Sequence, residues 1–334
     1  MPAARILFEK KGEIQLATLQ APAAPVKRRN KKLTTFIKFI PVYVMAIPGL
    51  AYLFINNYMP LPGIVIAFKT YSAKKGIFGS PWCGLKNFEF LFKSPDAYTI
   101  TRNTILYNFA FIIINTTAAI AVAIIISEMT SGGWIRNVYQ SMILLPHLLS
   151  TVIVGYLVNG FLNETNGFIN STVLPMLGKE PIHWYMEKQY WPFILVFVSL
   201  WKGVGYNCIV YLSTIIGFDR AYYEAALIDG AGKWKQITKI TLPLLRPTII
   251  MMTMLAIGRI FYSDFGLFYQ VPMNSSPLLP VTNTIDTYIY RGLVQLGQVT
   301  LSAAAGVYQS FVGFVLVMGS NLLVRKIDKD SALF

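Results

Sequence analysis

Few side chains in this sequence could do chemistry, and the most telling of them sit inside long apolar stretches. Lys202, Arg259 and Asp264 are ionisable groups surrounded by hydrophobic residues. A charge in such a place is costly and is normally kept for a function. Lys202 stands in Trp201-Lys-Gly-Val-Gly-Tyr206-Asn207, so Tyr206 falls on the same helical face, with Trp201 and Asn207 flanking it. An aromatic platform beside hydrogen-bonding groups is the composition of a sugar site, and an ammonium there suits a carboxylated or heavily hydroxylated ligand. Snorkelling toward water, or pairing with a carboxylate of another subunit, accounts for Lys202 equally well. Arg259 has Tyr262 and Ser263 at i+3 and i+4, with Asp264 next. An ion pair within the fold explains Arg259 as well as ligand contact does. Tyr211 and Tyr269 complete the candidates, as pathway aromatics or as members of an interfacial belt.

The remaining reactive types lack partners. His147 follows Leu144, Leu145 and Pro146 and reads as a packed histidine at a kink, while His183 and Trp184 lie in a polar loop. The two cysteines, Cys83 and Cys208, are far apart, and no Cys/His spacing supports a metal site. No catalytic constellation is present, and no Gly-x-x-x-x-Gly-Lys-Ser/Thr phosphate loop. The chain therefore reads as non-catalytic, with no cofactor or metal of its own.

These residues are carried by membrane-spanning helices. Of 334 residues, 54% are hydrophobic and only 13% charged. Uncharged windows at Phe39–Phe68, Asn103–Ser127, Asn137–Asn163 and Gly292–Val324 exceed the ~20 residues that cross a bilayer. The expected fold is all-α, with six spans near 36–59, 102–127, 138–162, 191–217, 247–270 and 300–324. Pro41 and Pro48 predict a distorted first span, which Ile64–Phe68 could lengthen. Outside segments cover 60–101, with a short interfacial helix over Gly84–Phe92, then 163–190 and 271–299. Residues 1–38 contain no apolar signal-peptide core. They read as a solvated basic tail (1–35) before a permease domain (36–326) and a C-terminal tail (327–334).

The net charge of +14 does not form a nucleic-acid patch, because the Lys and Arg lie between spans. Six spans place both termini on one side. With Lys38 and Arg102, at the edges of their spans, counted to the adjoining segments, the inside segments then carry nine, one, five and three Lys/Arg (18), and the outside segments six, two and one (9). That bias puts both termini and the segment 218–247 in the cytoplasm.

Segment 218–247 is a charged island between apolar spans, holding Glu224, Asp229, Lys233, Lys235, Lys239 and Arg246. Glu224, Ala225 and Ala226 favour helix. Gly230, Ala231 and Gly232 permit a sharp turn. A second helix is expected from Lys233 to Leu242, with Trp234, Ile237 and Thr241 on one face. Pro243 should end it, and Pro247 should open the next span. A rigid helix–turn–helix rimmed with charge suits insertion into a groove on another protein.

Glu224-Ala225-Ala226, then Gly230, then Ile240-x-Leu242-Pro243 resembles the EAA loop of type I, binding-protein-dependent ABC-importer permeases. Gly63–Lys69, Ser80–Phe88, Leu145-Pro-His147, Trp201–Gly205 and Asp286–Arg291 look like the branch that carries oligosaccharide fragments of complex polysaccharides, alginate and pectin among them. The resemblance implies a multi-pass protein of the bacterial cytoplasmic membrane and a coupling role for Asp229 and the residues around it. It also implies partners: a second homologous permease, two cytoplasmic ATPase subunits that bind ATP and Mg, and an extracytoplasmic solute-binding protein that delivers the oligosaccharide. A permease for another solute, such as peptide or phosphate, is the nearest alternative. An ion-coupled secondary transporter would need intramembrane carboxylates, of which Asp264 is the only one.

Overall fold

The computed structural model describes residues 39–129 and 133–327; the basic tail and most of the C-terminal tail lie outside the described residues. The chain divides into two units at Pro62. In the first, α1 (Ile40–Leu53) contains Pro48 and passes into a π turn over Phe54–Tyr58. None of its residues is buried, and apolar side chains such as Met45 and Tyr52 face outward. Hydrocarbon is a suitable solvent for such a helix, since every backbone group is satisfied internally.

A 3-10 stretch over Leu61–Phe68 follows in the chain, so Ile64–Phe68 extends the apolar run, and the first candidate span is Ile40–Phe68. The expected interfacial helix is α2 (Lys86–Lys93), beginning just after Gly84 at φ +61° and burying Leu91. The next span, α3 (Pro95–Ser127), starts seven residues earlier than the hydropathy suggests. Pro95 in its first turn is the cause: a proline is tolerated there and fixes a helical φ.

The predicted third span is not straight. It consists of α4 (Gly133–Leu148) and α5 (Thr151–Leu162), bent by 93°. Pro146 removes a donor in the last turn of α4, and Ser150 then takes an extended ψ of 139°. Among the described residues five helices are long and apolar enough to cross a membrane, or six if the bent pair is one span.

The core is built on α6 (Trp191–Ile216), which packs along α3 and α4. Ala119, Ala123, Cys208, Tyr211, Leu212 and Leu245 fill one cluster, and Tyr107, Val154, Trp191, Leu195 and Phe268 fill another. Gly205 is what lets α4 approach: a Cβ there would sit 2.0 Å from the carbonyl oxygen of Ile143. Small residues at helix crossings serve this purpose in membranes.

The charged island folds as α7 (Arg220–Ile228), a glycine turn, and α8 (Lys233–Gln236). Pro243 does not end the second helix. A π turn over Ile237–Thr241 absorbs the register change, so Pro243 falls in the first turn of α9 (Leu242–Ile257) and Pro247 lies inside it. The helix is one candidate span from Lys233 to Ile257.

The predicted fifth span is likewise cut short. Residues 258–264 leave the helix before α10 (Phe265–Gln270). Beyond it, the segment 271–299 is more regular than its Pro/Asn composition implies. It contains α11 (Ile285–Tyr290), whose Thr284 and Thr287 form a reciprocal cap. α12 (Val299–Ile327) closes the described chain.

Candidate functional site

The broken end of α9 opens onto a cavity of about 210 Å³ between α3, α6 and α9. Asn207 and Tyr211 reach it from α6, and Arg259 and Tyr262 from the segment after Ile257. Asn108, Asn115 and Thr116 line its α3 side, with Phe111 and Met252 as apolar walls. Of the eight residues expected along a pathway, these four are brought together. Tyr211 is 1% exposed, so it belongs to the core of the bundle and not to an interfacial belt.

The other four, and Tyr269 beside them, go elsewhere. Trp201 lines a separate apolar cleft of about 740 Å³ with Phe193, Phe197, Leu157 and Phe161. Lys202, half-buried, donates from Nζ to Thr151 Oγ1 at 2.8 Å, tying α6 to the start of α5. Tyr206 stacks on His147 with ring centroids 5.0 Å apart, which gives that histidine its packing partner. Asp264 caps α10, accepting from the Leu267 backbone N–H at 3.1 Å. Tyr269 joins an aromatic group with Phe265 and Tyr290, and its hydroxyl accepts from Gln295.

Neither Lys202 nor Arg259 forms an ion pair among the described residues. The cavity therefore presents one guanidinium, three asparagine amides, a threonine and two tyrosines. Amides and a planar five-donor cation suit sugar hydroxyls and carboxylates. The α3 contribution escaped the sequence reading, which weighed only charges and aromatics. Its signal is Asn108 and Asn115, seven residues apart in an otherwise apolar span, and therefore on one helical face.

Polar bonds outside the spans hold this architecture. Arg291 donates to Asn274 Oδ1 and Thr287 Oγ1, both at 3.0 Å, and to Asn283 Oδ1. Burial lowers its pKa below the ordinary value, opposed by Tyr269 and Asp96. His183 Nδ1 lies 3.2 Å from Glu164 Oε2, and Trp184 donates to Asn170 Oδ1 at 2.8 Å.

The island is a rigid surface. Asp219 caps α7 by accepting from Ala221 N–H at 2.9 Å. Gly230, at φ +73°, turns the chain, with Ala231 N–H reaching back to the Ala226 carbonyl at 2.8 Å. Such a φ suits glycine. Gln236, 1% exposed, donates to the Ala231 carbonyl at 3.0 Å, and Tyr223 pairs with Thr241 at 3.0 Å. Lys233 and Glu128 form an ion pair at 2.5 Å that joins the island to the end of α3.

Glu224, Ala225, Asp229, Gly232 and Pro243 are exposed, whereas Ala226, Ala231, Ile240 and Leu242 are half-buried and tie the turn to α9. Ile228 is 87% and Trp234 77% exposed, on either side of Gly230. Large apolar side chains displayed on a charged, hydrogen-bonded frame mark a contact surface.

Residues 119–329 match the model of the binding-protein-dependent transport system inner membrane component. The chain belongs to that family. Bacillus subtilis YteP, a polygalacturonan/rhamnogalacturonan transport system permease protein, is 32% identical over 95% of this chain and 99% of its own. B. subtilis LplB is 32% identical over 86% of this chain and 90% of its own. The fold matches a chain of a bacterial ABC transporter that imports the acidic polysaccharide alginate, with a TM-score of 0.80, 29% identity, and coverage of 89% and 99%. The same transporter bound to a periplasmic protein holding an alginate pentasaccharide matches at 0.79, with 29% identity and coverage of 89% and 98%.

The family match spans the island, α6, α9 and α12, but starts after Asn108, Asn115 and Thr116. Those three belong to the part of the chain outside the matched residues. As a permease of this family, the chain is a membrane-embedded component of a transport system.

Proposed function

We propose that this chain and a second, homologous permease form the pathway of an ATP-driven importer of oligosaccharides, fragments of complex polysaccharides that include acidic ones. An extracytoplasmic binding protein delivers the sugar. Two ATPase subunits, which hold ATP and Mg, drive the cycle through the surface built on Glu224, Asp229, Gly230 and Gly232. The chain lies in the bacterial cytoplasmic membrane with both termini and the island in the cytoplasm, as the 18-to-9 distribution of Lys/Arg supports. Residues 1–35 and 327–334 are tails, and 36–326 form the permease domain.

The observation that carries the sugar reading is the cavity in which Arg259, Asn207, Tyr211 and Tyr262 meet Asn108 and Asn115. Its chemistry fits the polyhydroxylated and acidic cargo of the relatives. Binding-site amides also pay little when a hydroxyl replaces water, whereas removing one leaves its partner unpaired.

In this reading the acid-reading role belongs to Arg259, which lines the cavity, while Lys202 donates to Thr151. In proteoliposomes containing the full transporter, Arg259→Ala is expected to lower uptake of oligogalacturonide about 10-fold or more, the scale of a lost charged hydrogen bond. Uptake of a neutral oligosaccharide of equal length should fall less. Lys202→Met should act on both alike. Equal losses on Arg259→Ala would remove the acid-reading role.

A further inference from the structure

Residues 258–264 lie beside the middle of α3 and the first half of α12, yet they are not helical. Backbone in such a place needs a partner for each polar group. Three different elements supply them. Asn108 Nδ2 on α3 donates to the carbonyls of Ile260 at 3.0 Å and Tyr262 at 3.1 Å. Gln309 Nε2 on α12 donates to the Phe261 carbonyl between them at 3.0 Å. Asp286 on α11 accepts from both the backbone N–H and the Oγ of Ser263, each at 2.7 Å. Phe261, 1% exposed, is locked edge-on against Tyr308 of α12 at 5.6 Å. Four consecutive residues are thus held by side chains from three elements, and the residues at either end of the turn, Arg259 and Tyr262, face the cavity.

We infer that Gln309 and Asp286 are positioning residues for the cargo pathway: they fix the unwound segment so that Arg259 and Tyr262 are presented to the cavity. Neither lines the cavity. Their effect on transport passes through the two residues that do. Asn108 has both parts, bonding the segment and lining the cavity. The inference rests on the cavity reading proposed above and adds to it the groups that set its shape.

The test has two arms. In a chain with Cys83 and Cys208 replaced by serine, the thiol of Tyr262→Cys is labelled with a water-soluble maleimide, with Tyr206→Cys as control. Adding Gln309→Leu is expected to change the rate at position 262 by between about 2- and 10-fold, the range one lost hydrogen bond supplies, and to leave position 206 unchanged. Equal rates at 262 with and without Gln309→Leu overturn the inference.

In the reconstituted transporter, oligogalacturonide imported per ATP hydrolysed should fall by a similar factor in Gln309→Leu. On an Arg259→Ala/Tyr262→Phe background the further loss should vanish, because coupled residues are not additive. The same loss on both backgrounds contradicts positioning, since a general defect lowers uptake and hydrolysis together and is indifferent to the background. Should Gln309→Leu fail to assemble, Asp286→Asn, which keeps an acceptor oxygen for Ser263, must restore the ratio that Asp286→Ala loses. If Arg259→Ala/Tyr262→Phe alone leaves the ratio intact, the cavity reading falls, and labelling at position 262 still decides the clamp.

Discussion

Glu224→Lys is expected to abolish ATP-driven uptake while the chain still inserts and folds. Glu224 is exposed on α7 and shares a cleft with Arg220 and Lys233. The substitution leaves Glu128, already paired with Lys233, as the one carboxylate lining that cleft among the described residues. Among the described residues no ion pair engages the Glu224 side chain, so its replacement leaves the chain's own ion pairs in place. On the proposed docking the cost falls on the partner: a groove that receives an acidic side chain would meet a like charge, and such a juxtaposition costs several kcal/mol, enough to weaken docking by more than about 100-fold.

Gly230→Pro should reach the same end by another route. Proline holds φ near −65°, whereas this position needs +73°, and the bond from Gly230 N–H to the Leu227 carbonyl is lost. The measurement is co-purification of the ATPase subunits with the variant, together with hydrolysis stimulated by loaded binding protein. A complex of normal strength with normal stimulation would sink the docking role.

Gly205→Ala is expected to cost more stability than any other single methyl group in the bundle. The added Cβ would stand 2.0 Å from the Ile143 carbonyl oxygen, 2.6 Å from its carbon and 3.0 Å from Leu144 Cα. All three are backbone atoms, so no side chain can turn aside. α4 must move away from α6, and α6 carries Asn207 and Tyr211. Overpacking of this kind costs roughly 1–3 kcal/mol and sometimes more. Gly203→Ala is the matched control: its nearest neighbour is the Asn115 amide at 3.7 Å, an ordinary contact. Thermal melts of the purified chain in detergent should show Gly205→Ala well below Gly203→Ala, with lost folded material. Coincident melts would contradict the crossing.

The family, the helical fold and the approximate spans were legible because hydropathy and the Glu-Ala-Ala pattern are local signals. Breaks in the spans were not. Arg259 was legible as a charge within an apolar stretch, but its surroundings were not, since Asn108 and Gln309 meet residues 260–262 only through tertiary packing. The bend at Ser150 and the π turn before Pro243 show the same limit: a proline marks a weak point, and the neighbours decide whether the helix stops, bends or continues. The acceptor that the structure gives Lys202, Thr151 on another helix, was not legible either. Asn and Thr on α3 left too faint a trace, because uncharged polar residues are common in membrane helices as packing groups.

The most direct test of the central claim is uptake of labelled oligogalacturonide into proteoliposomes carrying this chain, its second permease and both ATPase subunits, with loaded binding protein outside and ATP inside. Uptake should require ATP, survive collapse of all ion gradients, and disappear in Glu224→Lys. Uptake that proceeds without ATP and stops when the ion gradients are collapsed would contradict it.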